Sequence, residues 1–243
     1  MNFKKISSLL YISVISALLL TACDPDIFQP EGIGSFSVTN AAPGSPTVDV
    51  VVDGQVTSPA RLNYGNTTVS QSGSTQIYLP VLAGSHDIKI SVDTGKTHLV
   101  QIPHQAEAGK IHSFFIIDTV MNNALKVLRL DDDLTLPATG NAHIRALHLA
   151  PRTGAVDITF TRGTDSVTFS NLTYAGTGTP NVTELSRFRP VPAGSYTVKV
   201  KNAGTQTVVL QSAATIATGR IYTFYARGGA RSQPLAIASV TNY

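Results

Sequence analysis

"AAPGSPTVDVVVDG", Ala41 to Gly54, returns later in the chain as "LAPRTGAVDITFTRG", Leu149 to Gly163. Pro43 pairs with Pro151, Val48 with Val156 and Asp49 with Asp157, each 108 residues apart. Three more segments recur in the same order, now 110 residues apart: "LNYG" and "LTYA" from Leu62 and Leu172, "PVLAGSHDIKI" and "PVPAGSYTVKV" from Pro80 and Pro190, "GKIHSFF" and "GRIYTFY" from Gly109 and Gly219. Matches of this length in one order mark an internal repeat, so one fold has to serve both copies.

Within each copy the apolar residues alternate. Val48-Val50-Val52 and Val156-Ile158-Phe160 are such runs, as are Ile88-Ile90-Val92 and Tyr196-Val198-Val200, the latter with Lys89, Lys199 and Lys201 between. A period of two predicts strands with one face buried and one wet. Pro-x-Ala-Gly before the later strand, and Asp53-Gly54 after the earlier one, are turn chemistry. No long segment keeps a helical period. About seven short strands per copy, separated by turns, predict an all-β chain of two tandem antiparallel immunoglobulin-like β-sandwiches. The Cys and Trp of antibody domains are missing. The first sandwich is expected over residues 35–134 and the second over 141–243, with 135–140 as the linker at the end of "RLDDDLTLPATG", Arg129 to Gly140.

"HLAPRTGAVDITF", "LNYG/LTYA" and "AGSYTVKV" resemble a bacterial domain of unknown function, number 4397, whose members read roughly His-Ala-Ser-Pro-Asp-Ala-Pro-x-Val-Asp-Val. His148, Pro151, Val156 and Asp157 fit that pattern, and Asn40 stands where the family has His. The resemblance covers nearly all of residues 35–243 as two tandem copies. It implies the fold class and a surface address, and brings no activity with it.

The N-terminus predicts how the chain reaches that address. Lys4 and Lys5 precede the 15-residue apolar stretch Ile6 to Leu20. That is short of the roughly 20 residues of a bilayer span and suits a signal peptide over residues 1–22. Leu20-Thr21-Ala22-Cys23 then resembles the bacterial lipobox, which implies lipidation at Cys23, a tether over residues 23–34 and a membrane partner reached through the acyl chains. Cys23 is the only cysteine in the chain, so no disulfide can form within it, and lipidation accounts for the residue. Asp24, directly after the Cys, resembles an inner-membrane retention signal of enterobacteria, whereas Asp24, Asp26 and Glu31 together resemble a surface-export signal of Bacteroidota. Asp118-Thr119-Val120 and Asp165-Ser166-Val167 resemble the O-glycosylation motif of that phylum, with Thr119 and Ser166 as acceptors. The expected address is the outer membrane, on the cell surface or the periplasmic face.

Removing the signal takes away two lysines and no acid, leaving 16 Lys and Arg against 15 Asp and Glu. The basic balance of the full chain is therefore largely the signal, and no nucleic-acid motif accompanies it. The remainder is lopsided: residues 23–140 hold 6 bases and 12 acids, residues 141–243 hold 10 bases and 3 acids. The second half either faces the first electrostatically or presents cations to an acidic partner, such as a polysaccharide or an envelope protein. Arg187, Arg189, Arg227 and Arg231 are the candidate contacts, because arginine suits planar anions. Tyr174, Tyr225 and Tyr243 are candidate stacking residues in a chain without Trp.

No catalytic, metal or cofactor site is expected. His86 and His112 align with Tyr196 and Tyr222, which reads as polar-tipped packing. His98 and His104 flank Pro103 with no further ligands in view, and His143 and His148 fall on opposite faces of one strand. Asp131-Asp132-Asp133 has the oxygens for Ca²⁺ but not the loop, and reads as a solvated hinge. Asp49 and Asp157 read as wet-face residues that bond backbone amides. Nucleophile elbows, phosphate loops and zinc-protease helices are absent from the sequence, and the second copy is too poor in acids for glycoside chemistry. The expected function is a non-catalytic, lipid-anchored binding or structural module of the cell envelope. A periplasmic accessory subunit is the alternative, with a hydrolase behind it.

Overall fold

The computed structural model describes residues 32–69, 71, 75–93, 96–119, 125–229 and 233–243. The signal peptide and Cys23 lie outside these. Glu31–Tyr243 clusters as one compact unit. Its described residues are all-β apart from one short helix.

The first half contributes β1 (Ile33–Asn40), β2 (Asp49–Val52), β3 (Gln55–Val56), β4 (Leu79–Leu82), β5 (Gly84–Val92), β6 (Thr97–Ala106), β7 (Ile111–Ile117) and β8 (Lys126–Asp131). The second contributes β9 (Asn141–His148), β10 (Val156–Arg162), β11 (Asp165–Leu172), α1 (Val182–Ser186), β12 (Arg189–Pro192), β13 (Gly194–Asn202), β14 (Val208–Ile216), β15 (Ile221–Arg227) and β16 (Ala236–Thr241). Sheet orders are β4-β1-β7-β8 and β3-β2-β5-β6 in the first half, β12-β9-β15-β16 and β11-β10-β13-β14 in the second. Adding eight to each strand number of the first half yields the second, so the sequence repeat is also a repeat of topology.

Each half buries a core between its two sheets. Phe36, Val50, Ile88, Ile90 and Phe114 meet in the first, and Ile144, Ile158, Phe160, Val198 and Phe224 in the second. The alternation of β5 and β13 holds: Ile88 and Ile90, like Tyr196, Val198 and Val200, point inward. Asp53-Gly54 is a two-residue hairpin turn with both residues at positive φ, which fits the twist of the flanking strands. Pro-x-Ala-Gly does more than turn the chain. It is the corner at which β4 leaves one sheet and β5 enters the other, and Gly84 and Gly194, with φ of 137° and 149°, absorb the bend.

Three expectations are corrected. Among the described residues each half has eight strands rather than about seven. The sheets are not purely antiparallel, because β1 pairs parallel with β7 and β9 parallel with β15; side-chain alternation is the same for either direction, so it could not tell them apart. And one-face burial fails for the inner pair of sheets. In β7, Phe114 and Ile116 enter the first core while Phe115 and Ile117 point the other way and are equally buried. In β15, Phe224 and Ala226 enter the second core while Tyr225 points away from it. These outward residues form a third core with Leu128, Leu130, Leu147, Leu149 and Val240. The β1-containing sheet thus packs its back on the β9-containing sheet, and both are covered on two faces. Full burial of each such side chain contributes about 1.5–3 kcal/mol.

Candidate functional site

The seam between the halves has a polar centre inside its apolar ring. Asp132, just past β8, is buried and pairs with Arg145 of β9 at 2.7 Å; both side chains are at most 1% exposed. The carboxylate also accepts hydrogen bonds from Tyr78 Oη and Ser113 Oγ. Arg145 donates Nε to Thr223 Oγ1 at 2.9 Å and lies 4.4 Å over the Phe188 ring. Thr223 donates to Asn242, which donates to Tyr78 Oη at 2.8 Å. Burial, with the Asp132 charge beside it, pushes the Tyr78 phenol well above its usual range, which keeps it a donor. The solvated hinge expected at Asp131-Asp132-Asp133 is therefore corrected at its centre: a guanidinium aimed at Asp132 makes its burial tolerable.

The network is built from equivalent residues. Ser37 lies opposite Ser113 in the first half as Arg145 lies opposite Thr223 in the second. Asp132 follows β8 as Asn242 follows β16. Phe115 and Tyr225, which are equivalent, touch each other across the seam with ring centroids 5.8 Å apart. Equivalent residues meeting each other make the seam pseudo-twofold, the geometry of a homodimer written into one chain.

The four candidate arginines separate. Arg187 and Arg189 share a cleft of about 490 Å³, lined also by Phe169, Ser170 and Leu172 of β11, Glu184 and Leu185 of α1, Phe188, and Arg145. Arg189 lies over the Phe169 ring at 4.4 Å and donates to the Thr168 carbonyl. Arg187 makes an exposed pair with Glu184 at 3.2 Å. Two grooves of similar size beside β8 have a single base each, Arg129 in one and Lys126 in the other. Arg227 is at the seam instead, 4.6 Å over the Tyr64 ring of the first half, which removes it from the free surface. Arg231 lies outside the described residues. Of the tyrosines, Tyr225 is fully buried, which corrects its reading as a contact residue, while Tyr243 is exposed.

Ser166 is exposed on β11, and Thr119 is half-buried beyond β7 with its amide on the Asp118 carboxylate. His86 and Tyr196 do the same job in the two halves: His86 Nε2 bonds the Leu82 carbonyl at 2.7 Å and Tyr196 Oη the equivalent Pro192 carbonyl at 2.7 Å. His86 also bonds Asp53 at 2.6 Å, which raises the imidazole above its ordinary value. His104 and His112 stack edge to face in the first half, 5.2 Å apart. Burial, followed by the neighbouring His112, lowers His104 to about 4. Asp157 accepts from the amides of Asn171 and Gly204 as expected. Asp49 is corrected: it is buried and pairs with Arg61 at 2.9 Å. Among the described residues, no three His, Cys, Asp or Glu side chains gather as a metal site.

Sequence reasoning missed the seam. Its signal was the loss of alternation in "HSFFII" and "HIRALHLA", with one arginine inside an apolar run.

Residues 34–159 match the family model described as DUF4397, a domain of unknown function. The sequence matches no curated protein. Among solved structures, the Bacillus anthracis TIE protein is similar at 11% identity and a TM-score of 0.24, over 81% of this chain and 34% of that one, so this chain spans about a third of its length. A family CBM26 module of Eubacterium rectale Amy13K, in complex with maltoheptaose, is similar at 10% identity and a TM-score of 0.26, over 84% and 95% of the two chains. A streptococcal virulence factor described by its alpha-glucan binding is similar at 12% identity and a TM-score of 0.25, over 79% and 92%. Likeness at this level assigns no ligand.

Proposed function

For a chain that belongs to the DUF4397 family, a domain of unknown function, we propose a non-catalytic binding or structural role at the cell envelope, with the protein held there by lipid on Cys23. In this reading the two halves are tandem copies of the family domain, each an immunoglobulin-like sandwich, and the second copy meets the partner. The observation that carries it is the buried seam. Two domains joined by a third core and a buried ion pair act as one stiff body, which suits a module that holds a surface at a fixed distance from its anchor. The lipobox Leu20-Thr21-Ala22-Cys23 supports the anchor, and the acids behind it support export to the surface. Ser166 is the better-placed of the two acceptor residues for a glycan, being exposed.

Cys23→Ser should abolish lipidation and move the protein from the membrane fraction to the soluble fraction, or leave the signal uncleaved. Normal processing with membrane retention in that variant would overturn the anchor. Protease treatment of intact cells separates the surface reading from that of a periplasmic accessory subunit, which Asp24 directly after the Cys favours.

A further inference from the structure

We infer that the cleft between β11, β12 and α1 binds a carboxylate-bearing glycan, with Arg187 and Arg189 holding the carboxylate and the apolar wall taking the sugar ring. This deepens the binding-module reading and rests on it.

The first argument compares the halves. Arg189 pairs with Ile144 where the first half pairs Leu79 with Phe36. Arg187-Phe188-Arg189 thus stands where the first half has Ile77-Tyr78-Leu79, all three buried. The same corner of the same topology is built with apolar side chains in one copy, so folding does not require the arginines. The wall they face is also particular to the second half. β11 runs eight residues where its equivalent β3 runs two, and the extension supplies Phe169 and Leu172.

The second argument is geometric. Arg187, in extended conformation just before β12, and Arg189, which opens it, both line the cleft. The Arg189 guanidinium is held in place by the Phe169 ring beneath it and the Thr168 carbonyl beside it. It uses one nitrogen on that carbonyl and keeps others for an incoming anion. A held guanidinium loses little freedom when it takes a planar carboxylate in two-point contact. Arg187 already carries a carboxylate, that of Glu184. That pair is exposed on both sides, so it is weak and exchangeable, and it shows the position a ligand carboxylate would take. Leu172, Leu185, Phe188 and Pro190 add apolar surface for the carbon face of a pyranose, and the volume of about 490 Å³ suits one or two sugar residues.

The test titrates the full-length protein in detergent micelles with trigalacturonate, with neutral galactotriose and with a penta-aspartate peptide, at low and physiological salt. Saturable binding of trigalacturonate that weakens with salt, with none for galactotriose, is expected. Arg189→Leu, which installs the side chain of Leu79, should weaken it about tenfold. Arg189→Lys keeps the charge but not the fork and should weaken it too, while Glu184→Gln frees Arg187 and should strengthen it. Unchanged melting of each variant confirms that the fold is intact. Absence of binding at low salt, equal affinity for the peptide, or an equal loss from Arg220→Ala outside the cleft would each overturn the assignment. If Cys23-dependent membrane retention is normal when the titration fails, the cleft assignment falls alone and the envelope module stands.

Discussion

Ser37 and Arg145 occupy one position of the repeat, and Asp132 and Asn242 another. The first half puts a small hydroxyl at one and an acid at the other; the second puts a guanidinium and an amide. A true homodimer cannot make this arrangement, because its symmetry would repeat any ion pair across the axis a second time. Within one chain the two equivalent positions can differ, and the ion pair crosses the seam in a single direction. It joins Arg145 to Asp132, while Ser37 bonds Ser113, and Asn242 accepts from Thr223 and donates to the Asp132 carboxylate at 3.4 Å. The lopsided charge of the two halves therefore meets inside the molecule at one place and remains outside it elsewhere, at Arg187 and Arg189.

That asymmetry can be broken most severely at the acid. Asp132→Ala leaves Arg145 buried without a counter-charge and takes the acceptor from Tyr78 and Ser113. It should cost about 3–5 kcal/mol in denaturant unfolding. Arg145→Ser and Asp132→Asn restore the partner copy's residues. Together they should cost less than the sum of the two single changes, because neither charge is then left alone. Full additivity would mean that the pair does not couple the halves.

The second contrast lies in the sandwich interiors. The first half buries His104 against His112, where the second has Ala214 and Tyr222. His104 has a folded value of about 4, below the ordinary 6.5, so the unfolded chain takes the proton first as pH falls. Stability is full above about pH 6.5 and should fall by up to ~3 kcal/mol between there and pH 4 on account of this group. Unfolding measured across that window should show the slope, and His104→Ala should flatten it. An unchanged slope in the variant would assign acid sensitivity to other groups.

The smallest effect concerns the matched corner. Tyr196→Phe removes the bond to the Pro192 carbonyl and should cost about 1 kcal/mol. A thermal scan reads this, and a loss near zero would mean that ring packing alone holds the corner.

The sequence by itself determined the repeat, the strands with one wet face, the Asp53-Gly54 hairpin and the equivalence of His86 with Tyr196. Each is local, or a comparison of the chain with itself, and alternation and turn chemistry are written in neighbouring residues. Its charge imbalance pointed to Arg187, Arg189, Arg227 and Arg231 alike, without separating them. Only the tertiary structure decided that Asp132 is buried, that Arg227 belongs to the seam and that β1 runs parallel to β7. These depend on what covers a face or lies beside a strand, and those residues are not neighbours in the chain: Tyr64 meets Arg227, Ile111 pairs with Ser35, and Tyr78 bonds Asp132. A strand buried on both faces loses the very alternation that marks it, so the doubly covered sheets were the part the sequence showed least.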